Sequence, residues 1–94
     1  ATFPLQNVHA HQVRFMKEFE EQGGIAFIVL HWTAKDEIYY IPFDELCGFW
    51  ERMESGGRKS FTYDEMDRSW RIGRQRDVLV HYLEMIQRDL ERRP

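Results

Sequence analysis

The feature that most constrains this chain is an apolar segment with no polar side, Ile25-Ala26-Phe27-Ile28-Val29-Leu30-His31-Trp32. A strand with one solvated face alternates apolar with polar residues, whereas β-branched and aromatic residues at successive positions read as a strand covered on both faces. The polar turn Thr33-Ala34-Lys35-Asp36 separates it from Glu37-Ile38-Tyr39-Tyr40-Ile41, closed by Pro42, and the two segments predict a hairpin. Two strands alone make a marginal sheet; independent stability needs three or more, or good helical cover. The first strand is therefore expected to be central. Its missing neighbours would come from a second copy of the chain or from sequence outside these 94 residues. On this reading residues 1–94 are a single domain that is part of a larger unit, and its open strand edges favour dimerisation or aggregation when isolated.

Helical patterns flank the hairpin. From Asn7 to Gln22 the apolar residues Val8, Val13, Phe15, Met16 and Phe19 recur at helical spacing, with Asn7 as the expected N-cap and Gly23-Gly24 as the stop. A second helix is expected from Asp44, as its cap, to Ser55-Gly56-Gly57, with Leu46, Phe49, Trp50 and Met53 on its inner face. Ala1 to Asn7 and Lys59 to Tyr63 read as extended, and Asp64 to Trp70 as one or two short helical turns. A last helix is expected from Asp77 to about Arg92, burying Leu79, Tyr82, Leu83, Ile86 and Leu90.

Charge and cysteine content narrow the function classes. The formal charge of −3 argues against a protein that coats nucleic acid indiscriminately. Its distribution is uneven: residues 1–56 carry four basic and nine acidic side chains, whereas residues 57–94 carry nine basic and seven acidic ones. Arg68, Arg71, Arg74 and Arg76 run without an intervening acid around Trp70. Trp70 is expected to anchor the core, with these arginines as its solvated rim. Cys47 is the one cysteine, which excludes an internal disulfide and a cysteine-rich zinc site and suits a reducing cytoplasm. No uncharged apolar run approaches the roughly 18 residues of a membrane span.

Motifs of self-contained catalysis are missing from the sequence. It has no glycine-rich phosphate loop and no nucleophile elbow. His9 and His11, if both helical, point apart and share no metal. The clusters Glu18-Glu20-Glu21 and Asp64-Glu65-Asp67 read as solvated helix ends. Gly57-Arg58-Lys59-Ser60 places two cations and a hydroxyl beside a flexible glycine pair, a turn suited either to phosphate or simply to solvent.

Particular strings say more than these spacings. Phe3-Pro4-Leu5-Gln6-Asn7, then His11-Gln12, Gly24-Ile25-Ala26-Phe27-Ile28-Val29, Phe49-Trp50 and Gly57-Arg58-Lys59-Ser60 occur in an order and at separations that resemble the RecU family. These are Holliday-junction resolvases of Gram-positive bacteria, also called penicillin-binding-protein-related factor A. The resemblance covers about residues 2–66; beyond Trp70-Arg71-Ile72-Gly73 the chain departs from the family pattern. It implies an α/β, partial restriction-endonuclease-like fold, a mixed sheet flanked by helices with its first strands missing from this chain. It also implies a structure-selective endodeoxyribonuclease acting in recombination and repair as a homodimer on four-way junction DNA, in concert with recombination and branch-migration proteins. The catalytic Asp and Glu-x-Lys, and with them the Mg²⁺ ligands, would lie upstream of Ala1, leaving no metal ligand here. Gln12, with His11 as a weaker partner, would be a supporting catalytic group on the helix after the Glu-x-Lys strand. Gln6, Asn7, Arg14, Lys17, Arg58, Lys59 and Ser60 would contact DNA. Two other classes remain open: a non-catalytic nucleic-acid-binding or recombination-accessory module, and a small dimerising protein-interaction domain.

Overall fold

The computed structural model describes residues 1–73 and 78–93, with the side chains of residues 78–81 left aside. The described residues form two small antiparallel sheets and three α-helices. The hairpin forms as its sequence predicts: β2 (Phe27–Trp32) pairs with β3 (Glu37–Pro42), from Phe27 opposite Pro42 to Trp32 opposite Glu37. Asp36 closes the turn at φ 48°, a conformation that aspartate tolerates better than most residues.

The order of strands corrects the expectation that the first hairpin strand is central. The sheet runs β2-β3-β5, with β5 (Arg71–Gly73) pairing β3 through Ile38–Gly73 and Tyr39–Arg71. The central strand is thus β3, whose Tyr39, Tyr40 and Ile41 are almost fully buried. Among the described residues β2 has one neighbour, and Val29 remains 43% exposed. Sequence reading gave β5 no strand at all, because three residues following a turn carry no periodicity.

The second sheet joins two distant parts of the chain. β1 (Thr2–Pro4) lies antiparallel to β4 (Ser60–Thr62), with Phe3 opposite Phe61. Their rings sit 5.2 Å apart, and Phe61 also stacks on Phe49 at 4.6 Å. The segment read as an extended lead-in is therefore a sheet strand, whose partner lies nearly sixty positions away.

α1 (Ala10–Glu21) begins later than its apolar pattern suggests. Leu5–Asn7 forms a separate 3₁₀ turn; Val8 and His9 are then extended, at ψ 118° and 148°. Val8 is held there by burial against Val13, Ala26 and Phe43. Position His9, not Asn7, is the N-cap. The stop is as expected: Gly23 turns at φ 90°, and Gly24 N–H donates to Phe19 O at 2.9 Å. The expected buried stripe is only half right, since Val13 is buried whereas Phe15 and Phe19 are 67% and 45% exposed and stack on each other.

α2 (Phe43–Glu54) starts directly after Pro42, so Asp44 is a first-turn residue and not the cap. Its Leu46 is fully buried, with Phe49, Trp50 and Met53 packed against the core. Two 3₁₀ turns, Tyr63–Glu65 and Arg68–Trp70, match the expected short helical turns. α3 (Val78–Glu91) packs Tyr82, Met85 and Ile86 against the core, whereas Leu83 and Leu90, expected to be buried, are more than half exposed. The expected cap Asp77 and the side chain of Leu79 lie outside the described residues.

Fully buried Asp89 completes the inner side of α3. It accepts from the Tyr40 hydroxyl at 2.6 Å and from Arg93 Nε and Nη2 at 3.2 Å each. Arg93 also bonds Glu20, whose other oxygen accepts from Ala26 N–H at 2.5 Å. Arg92 reaches Asp44 at 2.7 Å and Asp89 at 3.0 Å. The end of α3 is thereby tied to α1, β3 and α2 at once. This corrects the reading of Glu20 as a solvated helix-end acid.

Candidate nucleic-acid interface

The sequence strings that stand apart along the chain meet at the start of α1. Leu5 N–H donates to Lys59 O at 2.9 Å, extending the β1–β4 pairing by one position. The Gln6–Asn7 turn therefore lies beside Arg58-Lys59-Ser60. Arg58 and Lys59 are exposed; the only ion-pair contact of Arg58 among the described residues is a loose 3.9 Å approach to Glu65, and Lys59 makes none. Ser60 is half-buried, and its carbonyl accepts from Arg52 Nη2 at 2.9 Å. Arg52 holds Glu65 at 2.6 Å through Nη1, which keeps that carboxyl below its usual range.

A groove of about 620 Å³ opens between the start of α1 and β2, lined by Asn7, His11, Gln12, Phe15, Met16 and Ile28 among others. Three of the sequence-predicted residues, Asn7, His11 and Gln12, thus share one surface. Gln6, Arg14 and Lys17 are exposed but not among the residues lining it. Nor are Gln6 and Asn7 at the α1 N-terminus, as expected, because extended Val8 and His9 intervene. Their separate turn has three residues, too few to sum peptide dipoles toward a phosphate.

His9 escaped the sequence reading of the site. Its N–H donates to Gln12 Oε1 at 2.9 Å, and Gln12 N–H donates to the His9 carbonyl at 2.9 Å. The signal was present as His9-Ala10-His11-Gln12, the three-residue spacing at which a glutamine side chain closes back on the N-cap. Because His9 precedes the helix, its ring lies 5.6 Å from that of His11, not on an opposite face. No group of three or more metal-ligating side chains occurs among the described residues.

The arginines over Trp70 are Arg88 and Arg92, not the expected Arg68 and Arg71, which pair with other groups. Trp70 is 4% exposed, and Arg88 lies over its ring at 4.0 Å. Arg68 donates to the Tyr39 hydroxyl at 3.0 Å and lies over the Tyr63 ring. Arg71 approaches Glu37 at 3.6 Å. Tyr63 donates to Glu37 at 2.5 Å; this bond, followed by the Arg71 charge, pulls the Glu37 carboxyl below its usual range, and it pushes the Tyr63 phenol up to about 12. Arg74 and Arg76 lie outside the described residues.

An α/β domain with a largely apolar groove at a helix start, edged by Asn7, His11 and Gln12, and beside it a strand with one neighbour among the described residues, belongs to a broad class of folds. Sequence comparison narrows it. The family model for RecU, "Recombination protein U", matches residues 1–88, and this chain belongs to that family. It is 46% identical over 65 residues to the Holliday junction resolvase RecU of Bacillus pumilus (strain SAFR-032), covering 69% of this chain and 31% of that protein. To the Holliday junction resolvase RecU of Bacillus subtilis (strain 168) it is 44% identical over 66 residues, covering 70% of this chain and 31% of that protein. The chain thus spans about a third of the length of these relatives.

Proposed function

We propose that this chain is part of a structure-selective endodeoxyribonuclease that cuts four-way DNA junctions during recombination and repair. One observation carries the reading: membership of the RecU family over residues 1–88, in which relatives bear the name Holliday junction resolvase. The arrangement of the chain is consistent with that role. Asn7, His11 and Gln12 line one groove, and exposed Arg58 and Lys59 lie beside the turn that leads into it. Cations with little counter-charge nearby suit a phosphate backbone.

The described residues do not fit a metal site. On this reading the Mg²⁺ of the reaction is held by carboxylates elsewhere in the full protein, and the restriction-endonuclease-like architecture and the homodimer are features of that larger unit. Within this chain, Gln12 and His11 orient the DNA at the groove, and Arg58, Lys59 and Ser60 steady its backbone. The test incubates the full-length protein with Mg²⁺ and a synthetic four-way junction, with linear duplex of the same sequence as control. Paired nicks in the junction alone are expected. Absence of cleavage, or equal cutting of the linear duplex, overturns the reading.

A further inference from the structure

Gln12 has two polar ends, and the fold uses only one. Its Oε1 is taken by His9 N–H at 2.9 Å, and among the described residues nothing accepts from its Nε2. The side chain is exposed at a groove whose other walls include Phe15, Met16 and Ile28. We propose that His9 is a positioning residue: its main-chain N–H locks Gln12 Oε1, so that Gln12 presents Nε2 to the groove as a donor for a phosphate oxygen of the junction backbone. This deepens the endonuclease reading and rests on it.

The chemistry follows from which end is held. A carboxamide free to rotate offers an acceptor as readily as a donor, and its acceptor would repel an anionic phosphate. With the oxygen engaged by His9 N–H the amide is held against flipping, and the Nε2 donor is the end left for the phosphate. An apolar surround strengthens such a bond, because less water competes for the donor. The clamp is built from backbone. Val8, at φ −109° and ψ 118°, is extended and buried, and it delivers His9 at φ −77° and ψ 148° with its N–H directed at Gln12. The imidazole is not needed for this contact.

That distinction supplies the experiment. His9→Pro removes the N–H, and a φ of −77° falls within the range of proline. Val8 already has the extended conformation preferred before proline. His9→Ala keeps the N–H. Both variants lose the ring contact with His11 equally, so their difference isolates the clamp. In the full-length protein, with Mg²⁺ and a synthetic four-way junction, kcat of His9→Pro should be about tenfold to a hundredfold below that of His9→Ala. Junction affinity, measured with Ca²⁺ in place of Mg²⁺, should differ between the two by less than about threefold.

Gln12→Glu covers the case in which His9→Pro fails to fold. It retains an acceptor for His9 N–H but has no Nε2 donor. Its melting temperature should match the parent while kcat falls at least as far as in His9→Pro. If Gln12→Glu cleaves as fast as the parent, or folded His9→Pro matches His9→Ala, the clamp is refuted while the endonuclease reading stands. A parent that leaves junctions intact overturns both.

Discussion

Replacing Asp89 by alanine should cost about 3–5 kcal/mol of folding stability, the range for removing one partner from a buried ionic cluster. The figure can be built from its contacts. Fully buried Asp89 is, among the described residues, the only acceptor of the Tyr40 hydroxyl, whose loss of that bond inside the core costs about 1–3 kcal/mol. Arg93 would lose two of its bonds and Arg92 one, although Glu20 and Asp44 still hold them. The two arginines are 24% and 37% exposed, so water recovers part of that loss. A cavity term for the deleted carboxyl is added. Asp89→Asn keeps an acceptor for Tyr40 and nearly the same volume, so it should lose only the charge-assisted part of the bonds, about 1–2 kcal/mol. Urea unfolding of the full-length protein measures both. The order alanine, asparagine, parent is the signature, with a Tyr40→Phe cycle to extract the pairwise coupling. If Asp89→Ala unfolds within about 1 kcal/mol of the parent, or if both variants lose the same amount, the end of α3 is not held in the way described.

Three further outcomes follow from other contacts. Burial, reinforced by Asp67 and Asp44, pushes the Glu45 carboxyl up to about 7, above its unfolded value near 4.3. Folding therefore favours protonated Glu45, and stability falls as pH rises between those values. Glu45→Gln should raise the urea midpoint at about pH 8 and leave it unchanged at about pH 4; equal shifts at both would contradict this. Arg52→Ala should cost about 1–2 kcal/mol, since it frees Glu65 and the Ser60 carbonyl together. Because Arg52 holds Glu65 below its unfolded pKa, the stability from this pair exists above that value and fades as pH falls. The variant should lose less on acidification than the parent, read by acid titration of circular dichroism. Arg58→Ala combined with Lys59→Ala should weaken junction binding and flatten the dependence of log affinity on log salt by up to about two counterions. An unchanged slope removes that turn from the DNA footprint.

The sequence revealed elements whose signals are local. The hairpin has β-branched runs on both sides of a polar turn, and the ends of α1 and α2 carry Gly23 and Gly56, each at φ 90°. It was silent on partners that chain topology chooses. β1, β4 and β5 are three residues each, too short for a period, and they exist because β3 and each other offer them edges. Composition also misjudged which hairpin strand is inside. Among the described strands β2, apolar but for His31, lies at the edge, whereas β3, containing Glu37 and two tyrosines, is in the middle. Its polar groups are paired: Tyr40 with Asp89, Tyr39 with Arg68, and Glu37 with Tyr63. A hydropathy pattern counts such hydroxyls as reasons for exposure, but a buried hydroxyl with a partner costs little.

The same distinction governs the candidate site. Asn7, His11 and Gln12 were legible because the family strings carry them, but their meeting in one groove depends on the extended Val8 and His9 that separate the turn of Asn7 from α1. The place of Arg58-Lys59-Ser60 required β1 and β4 to pair, a contact that no local signal specifies. His9 was missed for another reason. The contribution described for it is a main-chain N–H, which every residue except proline possesses, so residue identity at that position carries no chemical message. Only the extended backbone at Val8 and His9 gives that N–H its direction. A site built from backbone is visible to sequence only through the residue that answers it, here the glutamine three positions on.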